Sequence, residues 1–162
     1  MGMQKILCQQ SKETRCYIMS AVMFFEGFNQ INEMTEIRGN MLLDVLGLTK
    51  EDIESFSMPN YSQIISHLKP ISDPEVKHWV ISNTYSPVLK SQKADALRAF
   101  RTFCADLRWD VNDIKKTTEL TEDLCGLKPV SIYDGVNNTS SGCLSVIALI
   151  VVSTTVFAYV FV

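Results

Sequence analysis

Apolar positions recur every three or four residues through most of the stretch from residue 11 to residue 125, a spacing that predicts amphipathic helices. The segment from Thr14 to Phe25 differs, because its centre is apolar almost all round. A helix of this kind is buried on every side, so we expect it at the middle of the domain. No segment alternates apolar and polar residues over a length that indicates a β-strand. The pattern therefore predicts an all-α fold.

Short polar residues at the expected helix starts divide this region into a compact bundle of about seven helices. The predicted N-cap residues are Ser11, Asn32, Thr49, Asn60, Asp73, Ser91 and Asp110. Pro74 follows one of these caps at the first helical position, where proline is well tolerated. That helix is expected to end near Pro87, because a proline in a helix interior removes a backbone hydrogen bond.

The predicted helices repeat when the sequence is aligned with itself so that Thr49 is paired with Asp110. In that alignment Ile18 is paired with Trp79, and Leu46 is paired with Leu107. Each half then consists of a long helix, a second long helix and a short capped helix. The bundle is therefore predicted to be two repeated helical hairpins that share one core, with Ile18 and Trp79 close together at its centre.

The segment 144–162 contains no charged residue, proline or glycine. A helix of this length spans the hydrocarbon core of a bilayer, whereas a strand of this length is far beyond the usual size. We therefore predict that residues 143–162 form a transmembrane tail anchor. The side chains expected to contact the membrane are Leu144, Ile147, Leu149, Val152, Phe157 and Tyr159.

The predicted organisation has three parts: a helical domain over 1–125, a flexible linker over 126–142 and the anchor. The linker is rich in Gly, Ser and Asn and has no helical period. The amino-terminal residues carry no apolar run long enough for a secretory signal. We therefore expect the helical domain on the cytoplasmic side, with membrane lipid as one partner and a protein of unknown identity as another.

Composition excludes two classes of protein. With 46% hydrophobic and 20% charged residues, the chain is not intrinsically disordered. A formal net charge of −3 does not suit a general nucleic-acid binder, so no nucleic-acid partner is expected. The five cysteines are odd in number and lack metal-binding spacing. We expect free thiols in a reducing compartment, with Cys16 and Cys104 in the core.

Basic residues cluster around the sixth predicted helix. Lys90, Arg101 and Arg108 fall nearly in line at 100° per residue and would suit an anionic lipid surface. Asp95 and Asp106 interrupt the line. A solvated helix face is therefore the favoured interpretation of these charges.

Three carboxylates near the second predicted helix are candidate ligands for a divalent cation: Glu26, Glu33 and Glu36. Asn29 and Asn32 would add amide oxygens, which hard cations also accept. The spacing is not that of an EF-hand. The alternative is a set of acids that complements the helix dipole, and the loose spacing favours this alternative.

Motifs for common enzyme classes are missing from the sequence. It contains no G-x-S-x-G, H-E-x-x-H, Walker A or G-x-G-x-x-G pattern. Cys104 lies on an apolar stripe, and no third group orients it with His67 or His78. We therefore expect neither an enzyme nor a cofactor, apart from the divalent cation considered above.

One family resemblance emerges from three short motifs spread over residues 13–125. They are Phe25-Glu26-Gly27-Phe28, then Glu33 with Glu36, then Val45-Leu46-Gly47-Leu48. This arrangement resembles the TerB-like fold of tellurite-resistance proteins. The family's usual Asp-Gly is Glu26-Gly27 here, and the second half has Ser86-Pro87 at the matching place.

The resemblance and the anchor together imply a membrane-tethered helical module for interaction or sensing. Its role would be related to stress or metals, and it would scaffold partners at the cytoplasmic face of the membrane. Two alternatives stay open. One is a metal-dependent or regulatory helical domain of a viral or eukaryotic tail-anchored protein, and the other is a small enzyme of uncharacterised type.

Overall fold

The computed structural model describes residues 2–29 and 33–130. These residues form helices and no β-strand, so the all-α prediction is confirmed for this part of the chain. The helices are α1 (Met3–Leu7), α2 (Lys12–Glu26), α3 (Glu33–Leu46), α4 (Lys50–Glu54), α5 (Tyr61–Leu68), α6 (Pro74–Ser91), α7 (Ala94–Leu107) and α8 (Val111–Cys125). The described residues thus hold eight helices where about seven were predicted.

The additional helix is α1, which precedes the predicted domain core. Ile6 and Leu7 are buried in the core, and the Gln4 side chain donates a hydrogen bond of 2.8 Å to the Asp44 carbonyl at the end of α3. The three apolar residues of α1, Met3, Ile6 and Leu7, have helical spacing over a single turn, which is too short a window to predict a helix. The docking of α1 on α3 is therefore a tertiary feature that the sequence pattern does not carry.

Helix α2 lies at the centre of the bundle, as its apolar sequence predicts. Ten of its fifteen residues are buried, and Ile18 and Met19 are fully inaccessible to solvent. Helices α3, α5 and α6 pack around it. A helix that is apolar on every face must be covered by other helices on all sides, and the arrangement of α3, α5 and α6 meets this requirement.

Most of the predicted helix starts have the predicted caps. Side-chain oxygens of Ser11, Thr49, Asn60, Asp73 and Asp110 accept hydrogen bonds from amides of the first helical turn. At α4 and α5 the bonds are reciprocal and form complete capping boxes. Asn32 lies outside the described residues. These caps are local signals, which explains why the sequence predicts them well.

The predicted boundary between α6 and α7 is wrong at two positions. Helix α6 continues through Pro87 to Ser91, and α7 has Lys93 rather than Ser91 as its N-cap. Gln92, between them, has the left-handed φ of 50°. Ser91 instead ends α6, and its hydroxyl accepts a hydrogen bond of 3.3 Å from the Lys93 amide.

Helix α6 tolerates Pro87 because other side chains bond the nearby carbonyls. Proline has no N–H, so the Asn83 carbonyl four residues earlier loses its helical partner. The Arg38 guanidinium of α3 donates to that carbonyl at 3.4 Å. Asn29 also donates to the carbonyl of Pro87 at 3.2 Å. Tertiary contacts therefore override the local signal for a helix end.

Arg38 also neutralises a buried carboxylate. Glu26, the last residue of α2, is 7% exposed, and its carboxylate forms an ion pair with Arg38 Nε. Burial raises the pKa of Glu26, while the charges of Arg38 and Lys90 and a hydrogen bond from Asn29 partly oppose that rise. One guanidinium thus joins the end of α2 to α3 and to α6.

The two halves correspond in their long helices but not in the capped helix that follows: α4 has 5 residues, whereas α8 has 15, so the short helix predicted at the end of the second half is wrong. Glu33–Leu46 and Ala94–Leu107 have equal lengths and the offset that aligns the caps Thr49 and Asp110. Both helices are followed by a left-handed residue, Gly47 with φ of 58° and Arg108 with φ of 54°.

One expectation drawn from the repeat is wrong. Ile18 is fully buried, but Trp79 is only half-buried and packs at the edge of the core. Helix α6 buries the stripe of Val76, Val80 and Thr84, all fully inaccessible to solvent. Trp79 lies one position away from that stripe and so points off the core face.

The predicted linker begins in contact with the bundle. Leu127 and Val130 pack against the core, and Gln92 Nε2 donates to the Lys128 carbonyl at 3.1 Å. The remaining linker positions 131–142 and the anchor over 143–162, from Leu144 to Tyr159, lie outside the described residues. Between residues 2 and 130, leaving aside 30–32, no helix combines the length and apolarity needed to cross a bilayer.

Replacing Arg38 tests the ion pair. Arg38→Met leaves the Glu26 charge buried and the Asn83 carbonyl without its donor, so the free energy of unfolding at pH 7 should fall by about 3–5 kcal/mol. The loss should be smaller at pH 4, because the raised pKa of Glu26 favours its neutral form there. Urea unfolding of the full chain in micelles measures both values.

Arg98→Met is the matched control, because Arg98 pairs with Asp95 on the exposed face of α7. Exposed pairs contribute about 0–1 kcal/mol, so this variant should unfold almost like the parent. Equal losses in the two variants would contradict the structural role given to Arg38.

Candidate functional site

An open groove between α7 and α8 is the main candidate site. Both helices pack on α6 but make little contact with each other, and the space between them measures about 420 Å³. Cavities that hold small ligands or side chains of a partner typically measure about 300–1,000 Å³. Two further cavities in the described part of the chain measure only about 30 and 10 Å³.

The floor of the groove is apolar with one buried hydroxyl. It is lined by Leu97 and Phe100 of α7, by Ile114 of α8 and by Tyr85 of α6. The rings of Tyr85 and Phe100 stack with their centroids 4.6 Å apart. This packing fixes the floor, because stacked aromatic rings in a core have few alternative rotamers.

The Tyr85 hydroxyl donates a hydrogen bond of 2.9 Å to Glu122 Oε1. The other oxygen of Glu122 lies 3.2 Å from Lys128 Nζ, so this carboxylate is already neutralised within the chain. Burial and the bond to Glu122 raise the pKa of Tyr85 well above its usual value. The phenol therefore stays protonated at neutral pH and acts as a hydrogen-bond donor rather than as a base.

Cys104 was predicted to lie in the core, but this prediction is wrong. The residue lines the α7 wall of the groove. It is half-buried, whereas its neighbour Phe103 fills the core position. Burial raises the pKa of Cys104 to about 12. The thiol is thus protonated at neutral pH, and a protonated thiol is a poor nucleophile. Cys16 is buried, as expected.

The charges on the two walls differ. Lys115 and Glu119 of α8 face each other at 3.9 Å and largely offset one another. Arg101 of α7 forms no ion pair with any side chain of residues 2–29 or 36–130. Arg101 is exposed to solvent, and the groove as a whole is lined by two positive residues, Arg101 and Lys115, and two negative ones, Glu119 and Glu122.

The three aligned basic residues do not share one continuous helix, because Lys90 lies on α6 whereas Arg101 lies on α7 and Arg108 is its C-cap. Lys93 Nζ donates to the Phe28 carbonyl at 2.6 Å, and Arg98 pairs with Asp95. Lys90 lies close enough to Glu26 to affect its pKa. Of the aligned residues, Arg101 is the one that lines the groove.

The candidate metal ligands have different surroundings. Glu26 is buried and paired with Arg38, and Glu36 is exposed on α3. The side chain of Glu33 and the whole of Asn32 lie outside the described part. Within that part, no three His, Cys, Asp or Glu residues group closely enough to hold a metal ion. A metal site at these three glutamates stays a prediction.

Both histidines lie against aromatic side chains. The ring of His67 stacks on Tyr17 with centroids 3.7 Å apart, and its Nε2 lies 3.3 Å from Glu13. His78 lines a small cavity beside Trp109. Among the described contacts, neither histidine bonds to Cys104, so the structure assembles no nucleophile–base pair from them.

No protein-family model, curated protein or solved structure matches this chain. The TerB-like resemblance therefore stays a prediction. Sequence reasoning also missed the groove itself. Its residues come from three helices, and the separation of α7 from α8 depends on how each packs on α6.

Thiol labelling tests the protonation state of the groove. With a pKa near 12, only about one Cys104 thiol in 10⁴ is ionised at pH 8. Exposed Cys8 should therefore react with N-ethylmaleimide at least about 100-fold faster than Cys104 in the native full chain. Peptide mapping by mass spectrometry measures both rates, and equal rates at pH 8 would contradict this account of the groove.

Proposed function

We propose that the protein is a membrane-tethered helical interaction module that binds a partner in the groove between α7 and α8. The observation that carries the proposal is the groove itself, an open space of about 420 Å³ with an apolar floor, beside which two other cavities among the described residues measure about 30 and 10 Å³. Apolar concave surfaces with a few polar groups are typical of binding sites.

The groups in the groove favour binding over bond-making chemistry. Tyr85 and Cys104 both have raised pKa values, so at neutral pH they donate hydrogen bonds and do not attack a substrate. Helix α8 also carries three of the six large apolar side chains that are exposed in the described residues, namely Val111, Leu120 and Leu124. None of these three side chains lines the groove, so they are not part of the proposed binding site.

The tether rests on the sequence of the carboxyl-terminal segment. Residues 144–162 are uncharged and long enough to cross a bilayer as a helix. The contacts of Leu127 and Val130 hold the start of the linker against the bundle. The proposal therefore keeps the helical domain, of TerB-like type, close to the cytoplasmic face of a membrane, where it scaffolds or senses a partner.

Site-specific photo-crosslinking in membranes tests both parts of the proposal. A photoreactive residue replaces Thr118 in the groove, or exposed Glu54 on α4 as the matched control. The full chain should stay in the membrane pellet after alkaline carbonate washing. The Thr118 probe should give discrete adducts that the Glu54 probe does not give.

Two results would count against the proposal. Recovery of the intact chain in the carbonate supernatant would remove the tether. Identical adducts from the two probes, or none from Thr118, would remove the groove as the binding site.

A further inference from the structure

We propose that an exposed apolar face formed by α3, α6 and α8 lies on the surface of the bilayer to which the protein is tethered. The side chains of this α3–α6–α8 face are Ile37, Met41, Trp79, Leu120 and Leu124. The inference rests on the tether in the proposed function, and it adds lipid as a partner of the helical domain itself.

The apolar side chains on α3 and α8 are open to solvent in the bundle. Ile37 and Met41 of α3 are 44% and 62% exposed, and Leu120 and Leu124 of α8 are 58% and 77% exposed. These are four of the six large apolar side chains that are exposed among the described residues. Apolar side chains that collect on one surface are typical of a site that contacts a protein or a membrane.

Helix α3 approaches α6 beside Trp79. The Arg38 guanidinium of α3 donates to the Asn83 carbonyl of α6 at 3.4 Å. Asn83 lies one turn after Trp79, and its side-chain amide donates to the Trp79 carbonyl at 2.9 Å. Met41 lies three positions after Arg38, a spacing that puts both residues on one flank of a helix. The exposed side chain of Met41 therefore lies on the side of α3 that borders Trp79.

Helix α8 borders the same strip of α6 from the opposite side. The Thr121 hydroxyl of α8 donates to the Ser82 hydroxyl of α6 at 3.0 Å. Around α6, Trp79 lies between Ser82, which contacts α8, and Asn83, which contacts α3, because successive residues are about 100° apart. The half-buried indole of Trp79 thus lies between the exposed apolar side chains of α3 and those of α8.

The face and the groove lie on different flanks of α8. Leu120 directly precedes Thr121, and Leu124 lies one turn further along the same flank. Both leucines lie about 140–180° around the helix from Lys115 and Glu122, which line the groove. A bilayer can therefore cover the α3–α6–α8 face while the groove between α7 and α8 stays open to its partner.

The occupant of the face follows from the place where the chain leaves the bundle. Leu124 lies in the last turn of α8, and Val130, at the end of the described residues, packs against the core. Gln92, at the end of α6, donates to the Lys128 carbonyl at 3.1 Å, so α6 and α8 end at the same side of the bundle. Positions 131–143 can span at most about 45 Å before the predicted anchor begins. The tether therefore holds this end of the bundle, and the face that reaches it, close to a bilayer.

A bilayer suits the face better than a second copy of the chain does. Lipid is present at high local concentration beside every tethered copy, whereas a second copy must be met by diffusion. Exposed Lys90 lies on the same strip of α6 as Trp79, where its ammonium group can reach lipid phosphates while the indole lies at the interface. The other exposed charges beside the face are Lys116, Asp113 and Asp123. Together with Lys90 they balance, so zwitterionic lipid is sufficient.

The two tryptophans of the chain allow a direct test. Trp79 lies on the face, whereas Trp109 is 6% exposed and lies between α7 and α8. The full chain is reconstituted in vesicles of dibromo-phosphatidylcholine, whose bromine atoms quench nearby indoles, and in vesicles of unbrominated phosphatidylcholine. The parent should lose part of its tryptophan emission in the brominated vesicles. Trp79→Phe, which keeps Trp109, should lose none.

Variants of α8 identify the surface responsible. Leu124→Asp should weaken the docking at least about tenfold and remove most of the quenching, because burial of a leucine favours the docked state and a carboxylate opposes it. Val111→Asp is the matched control, because Val111 is 75% exposed but lies at the first residue of α8, away from the face. That variant should keep the quenching of the parent.

The outcomes separate the inference from the proposed function. If the chain resists alkaline carbonate but the parent is not quenched, the tether stands and the docking is wrong. The same holds if Trp79→Phe is quenched as strongly as the parent, or if Leu124→Asp and Val111→Asp behave alike. A blue shift of Trp79 emission that grows with the protein-to-lipid ratio, without quenching by bromine, would mean that the face binds a second copy, which overturns the inference. If the chain is recovered in the carbonate supernatant, the tether and the inference fall together.

Discussion

The burial of α2 is the constraint on which the rest of the structure depends. Ten of its fifteen residues are buried, all of them from Cys16 onward, so beyond its first turn the helix has almost no surface in water. One hairpin cannot surround it, because a neighbouring helix contacts only part of its circumference. The bundle meets the need by packing α3 and α5 of the first half and α6 of the second half around it. Each half therefore depends on the other for the burial of apolar surface, and the core is shared.

The groove follows from the same arrangement. Helix α6 uses the stripe of Val76, Val80 and Thr84 against the core, and this leaves its other faces to α7 and α8. These two helices pack on α6 without closing on each other, so Tyr85 becomes a floor between them. The ends of the bundle are held by polar contacts, of which the pair of Glu26 and Arg38 is the most buried. The groove that we propose as a binding site thus lies on the surface of the bundle, away from the buried face of α6.

The sequence predicts features that are decided locally and fails where distant residues decide. The caps at Thr49 and Asp110 were predictable because a side chain bonds to an amide two or three residues away. The helix end predicted near Pro87 is wrong, because the donor that bonds the free Asn83 carbonyl is Arg38, which is distant in the sequence. The groove could not be predicted for the same reason, because the residues that line it beside Arg101 come from other helices. For Glu26, the acid alone suggests a metal ligand, whereas its ion pair gives it a structural role.

Native-state hydrogen exchange tests the shared core most directly. In the full chain in micelles, the amides around Ile18 and Met19 should exchange only through global unfolding, because α2 is surrounded by helices of both halves. Their exchange free energy should therefore equal the unfolding free energy from urea titration, while amides of α8 exchange through smaller openings. Faster exchange in α2 than in α7 or α8 would contradict the account, because it would mean that one half opens and exposes α2 while the other stays folded.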